Sequence, residues 1–255
     1  MNDEVRNLPV YPRLDEICSR LFEDSNLILQ ASAGAGKTSL VPLAVSEKIS
    51  GKIIVTQPRR LAARSCAERI ASLIGEKPGG RVGLITRYDK IRGEKIEVVT
   101  DGVFLRMIQS DPSLSGIDAV ILDEFHERSI SSDLSLAFLI DAKSLIRNDL
   151  KILLMSASLS ADSFKGYFSD WSSLNVEGRS FPVSLKYMPP QKNEYLEDGI
   201  CRLISLALRD LDGEGDVLVF LPGLKEMKRT EEKLRSGNFK GEIFLLHGSM
   251  SPSEQ

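Results

Sequence analysis

Short, nearly continuous apolar runs alternate along this chain with longer segments whose apolar residues recur every three or four positions. The runs are Leu27-Ile28-Leu29, Ile53-Ile54-Val55-Thr56, Val82 to Thr86, Lys95 to Thr100, Asp118 to Leu122 and Ile152-Leu153-Leu154-Met155. Such runs, apolar at consecutive positions, predict strands buried on both faces. Between them the period changes. Leu14, Ile17, Cys18, Leu21 and Phe22 share one face of a helix expected from Pro12 to Asp24. Further helices are expected from Leu61 to Ile74, through Val103, Leu105, Met107 and Ile108, and from Leu134 to Ile146. Helices alternating with near-continuous apolar strands imply a parallel sheet with helices on both faces.

The rhythm breaks between Gly178 and Pro190, where Pro182, Pro189 and Pro190 mark an extended connector. A second α/β series follows: helix Glu197 to Asp210, strand Val217 to Leu221, a turn at Pro222-Gly223, helix Leu224 to Leu234 and strand Ile243 to Leu246. Two domains are therefore expected, residues 1–178 and 179–255. Ser251-Pro252-Ser253-Glu254 carries a helix cap, a proline at the first helical position and a capping-box glutamate. A helix start with so little chain after it suggests a polypeptide cut short within the second domain.

Composition narrows the class. At 255 residues, 42% hydrophobic and 27% charged, the chain can bury a sizeable core. No apolar run is long enough to span a bilayer, and the N-terminus lacks the basic start and apolar core of a signal peptide. Three scattered cysteines, Cys18, Cys66 and Cys201, argue against a disulfide framework or a metal cage, so a reducing cytoplasmic setting is expected. A net charge of −3 excludes a generally basic nucleic-acid binder. A local patch is still available at Arg59, Arg60, Arg64 and Arg69, which is equally readable as a solvated helix face.

The chemistry concentrates at Ala31-Ser32-Ala33-Gly34-Ala35-Gly36-Lys37-Thr38, between the first strand and the next helix. Gly34 and Gly36 allow a tight turn whose N–H groups approach a polyphosphate, and the following helix aims its positive end at the same place. Lys37 can reach the outer phosphates and Thr38 can ligate Mg²⁺. The usual pattern opens with glycine where this one has Ala31. Asp123-Glu124 ends another apolar strand, at the sheet edge where ligands of open parallel sheets bind. Asp123 is expected to hold Mg²⁺ through water beside Thr38, and Glu124 to orient and deprotonate an attacking water. His126, one of two histidines, reads as a hydrogen-bonding relay. Ser156 and Ser158, ending the next strand, could bond to it or to the acids.

Residues 31–38, Thr56-Gln57-Pro58-Arg59-Arg60, Thr100-Asp101-Gly102, Asp123-Glu124-Phe125-His126 and Ser156-Ala157-Ser158 occur in the order seen in superfamily 2 helicases. The set resembles the DEAH-box (DEAH/RHA) group. Asp123 to Ser129, with Phe125 where that group usually has alanine, is similar to its bacterial HrpB branch, as are Gly178 to Val183 and Leu246 to Ser251. The resemblance implies two RecA-like domains, ATP and Mg²⁺ as cofactors, and single-stranded nucleic acid, RNA by preference, as partner. It implies backbone contacts from Pro58, Arg59, Arg60, Thr100, Asp101 and Gly102. It further implies coupling through Ser156 and Ser158, and stacking of Arg69 on the nucleotide base. Family members carry a motif V and a Gln-x-x-Gly-Arg-x-Gly-Arg motif VI that supplies arginines to the γ-phosphate; neither is found in these residues. The expected activity is thus that of an NTP-dependent helicase, of which this polypeptide would bind nucleotide with little turnover. A non-helicase P-loop motor and a non-catalytic nucleotide- or RNA-binding module are the alternatives.

Overall fold

The computed structural model describes residues 3–158, 171–178, 182–211, 215–237 and 239–250. They divide into two compact units, Met1–Phe181 and Pro182–Gln255.

The first unit is an α/β sandwich. In chain order its elements are α1 (Asp3–Arg6), α2 (Leu14–Asp24), β1 (Asn26–Ala31), α3 (Lys37–Ser46), β2 (Lys52–Gln57), α4 (Arg60–Leu73), β3 (Val82–Ile85) and β4 (Lys90–Ile91). There follow β5 (Ile96–Thr100), α5 (Asp101–Ser110), β6 (Ile117–Leu122), α6 (Ile130–Leu145), β7 (Lys151–Ser156) and β8 (Ser172–Val176). The eight strands form one sheet ordered β4-β3-β5-β2-β6-β7-β1-β8, parallel except for the β3–β4 hairpin. Adjacent residues of the central strands feed opposite cores. Leu27, Leu29, Ile53, Val55, Val98, Ile121, Leu153 and Met155 meet α2, α3 and α4 on one face. Ile28, Ile54, Val99, Val120, Leu122, Ile152 and Leu154 meet α5 and α6 on the other. The consecutive apolar positions are thus explained by two-sided burial.

Local chemistry sets the ends of the elements. Ser129 caps α6 by accepting from Ser132 N at 3.0 Å. Ser25 ends α2 in the left-handed conformation. Two strands that the apolar pattern does not mark are present: the two-residue β4, and the edge strand β8, whose alternating polar residues face solvent.

The second unit contains α7 (Leu196–Asp210) and α8 (Leu224–Ser236), which pack together around Ile200, Ile204 and Thr230. The Arg229–Glu197 ion pair (3.3 Å) and the Lys233–Asp198 pair tie them. The strands expected at 217–221 and 243–246 are absent. A strand exists only through its ladder, and these segments pair with no neighbour among the described residues. Leu218, Phe220, Phe244 and Leu246 are instead exposed. The helix start expected at Ser251 lies outside the described residues.

Candidate active site

β1 delivers the chain into the glycine loop and α3 receives it at Lys37. Gly34 has φ +76°, with open space where a Cβ would stand, so the dihedral alone demands glycine there. Gly36, at φ +90°, is doubly restricted, because a Cβ would lie 2.9 Å from Leu8 Cδ1. The N-terminal segment buttresses this loop, with Val10 N donating to Ala35 O at 3.1 Å. Ala31 and Ala35 are buried beneath it, while Ala33 and Gly34 face solvent. Gly178 closes on the loop so tightly that a Cβ there would overlap Ser32 Oγ.

β6 brings the acids to the same edge. β2 and β6 run parallel with Thr56 beside Leu122, so the next residues, Gln57 and Asp123, are neighbours. Gln57 Nε2 and Thr38 Oγ1 each donate to Asp123 Oδ2 at 2.7 Å, and Glu124 N donates to Oδ1 at 2.9 Å. Asp123 is only 2% exposed. Burial pushes its carboxyl above the usual range, a shift opposed chiefly by the Thr38 bond. Lys37, 4% exposed, places Nζ 3.3 Å from Glu124 Oε1. Glu124 itself sits at φ 50°, a left-handed conformation uncommon for a non-glycine residue, and caps the 3-10 turn Phe125–Glu127. His126 Nδ1 lies 3.3 Å from Glu124 Oε2 but off hydrogen-bond alignment. β7 packs against this turn. Its terminal Ser156 is buried and accepts from Ser158 N at 3.1 Å, while the Ser158 side chain faces outward.

Leu8, Ala33, Gly34, Lys37, Arg69 and Glu124 are among the residues lining an open cleft of about 310 Å³ beside the loop. The structure therefore brings Arg69, one helix away in sequence, to the mouth of the phosphate loop. Beneath α3, Pro42 has no N–H to offer the Thr38 carbonyl one turn earlier, and Cys66 Sγ donates to that carbonyl at 3.8 Å instead.

β2 and β5 are adjacent, with Gln57 beside Thr100, so residues 58–60 and 100–102 emerge side by side on this edge. Arg59 is extended and 74% exposed, pairing with Glu127 at 3.1 Å. Arg60 lies over the Tyr88 ring at 5.0 Å. Pro58 is half-buried, Thr100 is partly exposed, and Gly102 is open to solvent. Asp101 differs from these. Its side chain is buried, accepts from Ser129 Oγ at 2.8 Å, and is shifted upward mainly by burial. Sequence reasoning quoted Gln57 and Gly178 only as members of longer motifs, without a role of their own, and passed over Leu8 and Tyr88. The signal at Gln57 was its place at the end of an apolar strand, the kind of position Asp123 adjoins on its own strand.

A glycine loop between a parallel strand and a helix, facing an Asp-Glu pair across one sheet edge, defines a RecA-like P-loop nucleotide-binding protein. Residues 13–165 match the family model described as DEAD/DEAH box helicase, and the chain belongs to that family. It is 42% identical over 255 residues to the ATP-dependent RNA helicase HrpB of Escherichia coli (strain K12), covering 98% of this chain and 31% of that protein. It is 37% identical over 265 residues to the ATP-dependent RNA helicase HrpA of Borreliella burgdorferi, covering 100% of this chain and 32% of the relative. The crystal structure of the Escherichia coli DEAH/RHA helicase HrpB superposes with a TM-score of 0.88 at 42% identity, over 98% of this chain and 32% of that one. The chain thus spans about a third of the length of these two curated relatives.

Proposed function

We propose that this chain is the nucleotide-binding part of an ATP-dependent RNA helicase of the HrpB type, working in the cytoplasm. In this reading residues 1–178 form the first RecA-like domain and 179–255 the beginning of a second. The observation that carries the proposal is the joining of Thr38, Asp123 and Gln57 in one bonded cluster, next to the Lys37–Glu124 pair.

The donor set fits Mg²⁺. Asp123 is a buried carboxylate destabilised as an anion by its surroundings, and the Thr38 hydroxyl already points at it. These two residues would hold the ion, Asp123 through water, and bound there it would offset charge on the β- and γ-phosphates. The loop N–H groups and Lys37 bind the phosphates. Arg69, at the cleft mouth, stacks its guanidinium plane on the base. When Lys37 turns to phosphate it releases Glu124, whose carboxylate then orients a water and takes its proton. His126, whose Nδ1 lies 3.3 Å from the second oxygen of Glu124, serves as a hydrogen-bonding relay once the two side chains align. Ser156 and Ser158 carry changes at this turn into β7. Arg59, Arg60, Thr100 and Gly102 grip a sugar-phosphate backbone without reading its sequence. Asp101 shapes that corner from within.

The test is paired binding. Calorimetry should show MgADP binding that Lys37→Ala abolishes, and a fluorescent single-stranded RNA should bind with an affinity that nucleotide alters. No nucleotide binding, or equal binding by Lys37→Ala, would exclude this site.

A further inference from the structure

Glu127 belongs to neither the nucleotide cleft nor the expected backbone grip, yet it touches both. It ends the 3-10 turn that Glu124 begins, and its N–H donates to Glu124 O at 2.9 Å. Left-handed residues bracket the turn, Glu124 before it and Arg128 after it, both at φ 50°. Three side-chain contacts strap this strained loop to its surroundings. Arg128 is paired with Asp133 on α6 at 2.9 Å. Ser129 Oγ donates to the buried Asp101 at 2.8 Å. Glu127 Oε2 accepts from Arg59 Nη2 at 3.1 Å. The first two straps lie within the protein framework. The third ends on a guanidinium that is 74% exposed at the sheet edge where a nucleic-acid backbone is expected.

We propose that Glu127 is a positioning residue that occupies Arg59 in place of a nucleic-acid phosphate, and that its displacement by phosphate transmits strand binding to Glu124. The inference rests on the reading of Arg59 as a backbone contact. A carboxylate and a phosphate present the same geometry to a guanidinium, so both cannot use the same face of Arg59. The pair is solvent-exposed and therefore weak, which allows a phosphate to replace it readily. Replacement frees one end of a turn whose other end, three residues away, carries Glu124. Glu127 also stands close enough to Asp101 to disfavour its ionisation, a lesser influence there than burial.

The experiment uses Glu127→Gln, Arg59→Ala and the double variant of this chain, with single-stranded RNA and MgADP titrated separately and together. Glu127→Gln should bind RNA about two- to fivefold more tightly, because Arg59 is released. In the Arg59→Ala background the same substitution should gain nothing, since the competition has no object. The factor by which saturating RNA changes MgADP affinity should fall toward one in Glu127→Gln, while MgADP affinity without RNA stays within twofold of wild type. An equal RNA gain in both backgrounds would show a general charge effect and overturn the competition. A coupling factor unchanged in Glu127→Gln, or already one in wild type, would overturn the transmission. Wild-type protein that binds MgADP but no RNA would overturn the reading of Arg59 itself, and the inference with it.

Discussion

Two buried carboxylates stand on this sheet edge, and their surroundings separate their roles. Asp123 is surrounded by three donors, one of them the Thr38 hydroxyl of the cleft lining. Asp101 has one donor, Ser129, while its Oδ1 is buried and unmatched, with the similarly buried Thr56 hydroxyl near enough to favour its ionised form. Burial dominates, so the folded pKa of Asp101 lies above its unfolded value and the charged form costs stability at neutral pH. Asp101→Asn keeps an acceptor for Ser129 and offers Thr56 an N–H. It should raise stability at pH 7 by about 1 kcal/mol, the scale of one unmatched buried polar atom. The sign follows from linkage: the native state holds the Asp101 proton more tightly, so the advantage of the amide shrinks as pH falls through the folded pKa. Denaturant melts at pH 7 and pH 4 measure it, and an advantage larger at pH 4 contradicts the assignment. Glu124 is tested differently. Glu124→Gln keeps shape but takes no proton, so single-turnover hydrolysis in a full-length relative carrying this substitution should drop on the order of 10²–10⁴-fold. A drop of only a few-fold excludes Glu124 as the base.

At the scale of the element, α3 is the least ordinary helix. It starts from a left-handed glycine, points its first residues at a ligand cleft and carries Pro42 in its body. The proline removes the N–H that would have closed onto Thr38 O, and α4 supplies Cys66 in its place. Burial raises the Cys66 thiol far above its ordinary value, so it stays protonated and able to donate. Cys66→Ala should therefore destabilise the first unit by about 1 kcal/mol and weaken MgADP binding, since Thr38 is held from both its carbonyl and its hydroxyl. Thermal melts with and without nucleotide read both effects. A variant that melts and binds as wild type would mean that the weak S–H bond contributes nothing.

For the whole molecule, the two units differ in how well they bury their apolar residues. The first closes both faces of its sheet. The second leaves Leu218, Phe220, Phe244 and Leu246 exposed. This 255-residue polypeptide should therefore bind MgADP through its first unit but hydrolyse ATP very slowly when assayed alone, with or without RNA. An arginine finger on the γ-phosphate is worth about 10³–10⁵ in rate, and no Gln-x-x-Gly-Arg-x-Gly-Arg segment occurs among these residues. Phosphate release by the purified polypeptide, with Lys37→Ala as the contamination control, checks this. RNA-stimulated turnover at ordinary enzyme rates would overturn it.

The fold class and the phosphate loop were legible along the chain because both are written in contiguous residues. Apolar runs such as Ile53-Ile54-Val55 need burial on two faces, and Gly34 and Gly36 need dihedrals other residues resist. Asp123 and Glu124 were legible because a strand end in a parallel sheet has one destination. Other features waited for the tertiary structure. The Gln57–Asp123 bond depends on which strands are neighbours, and β2 meets β6 across a large gap in sequence. The inward turn of Asp101 depends on Ser129 arriving from a different loop. β8 carries too few apolar residues to announce itself and exists because β1 offers it an unpaired edge. Segments 217–221 and 243–246 show the converse. Their composition is that of strands, but pairing is a property of two segments, and no described residue completes the ladder. Periodicity and glycine act through the chain's own backbone and can be read locally. Hydrogen-bond partners, strand neighbours and burial of a charge are relations between distant residues, and only folding decides them.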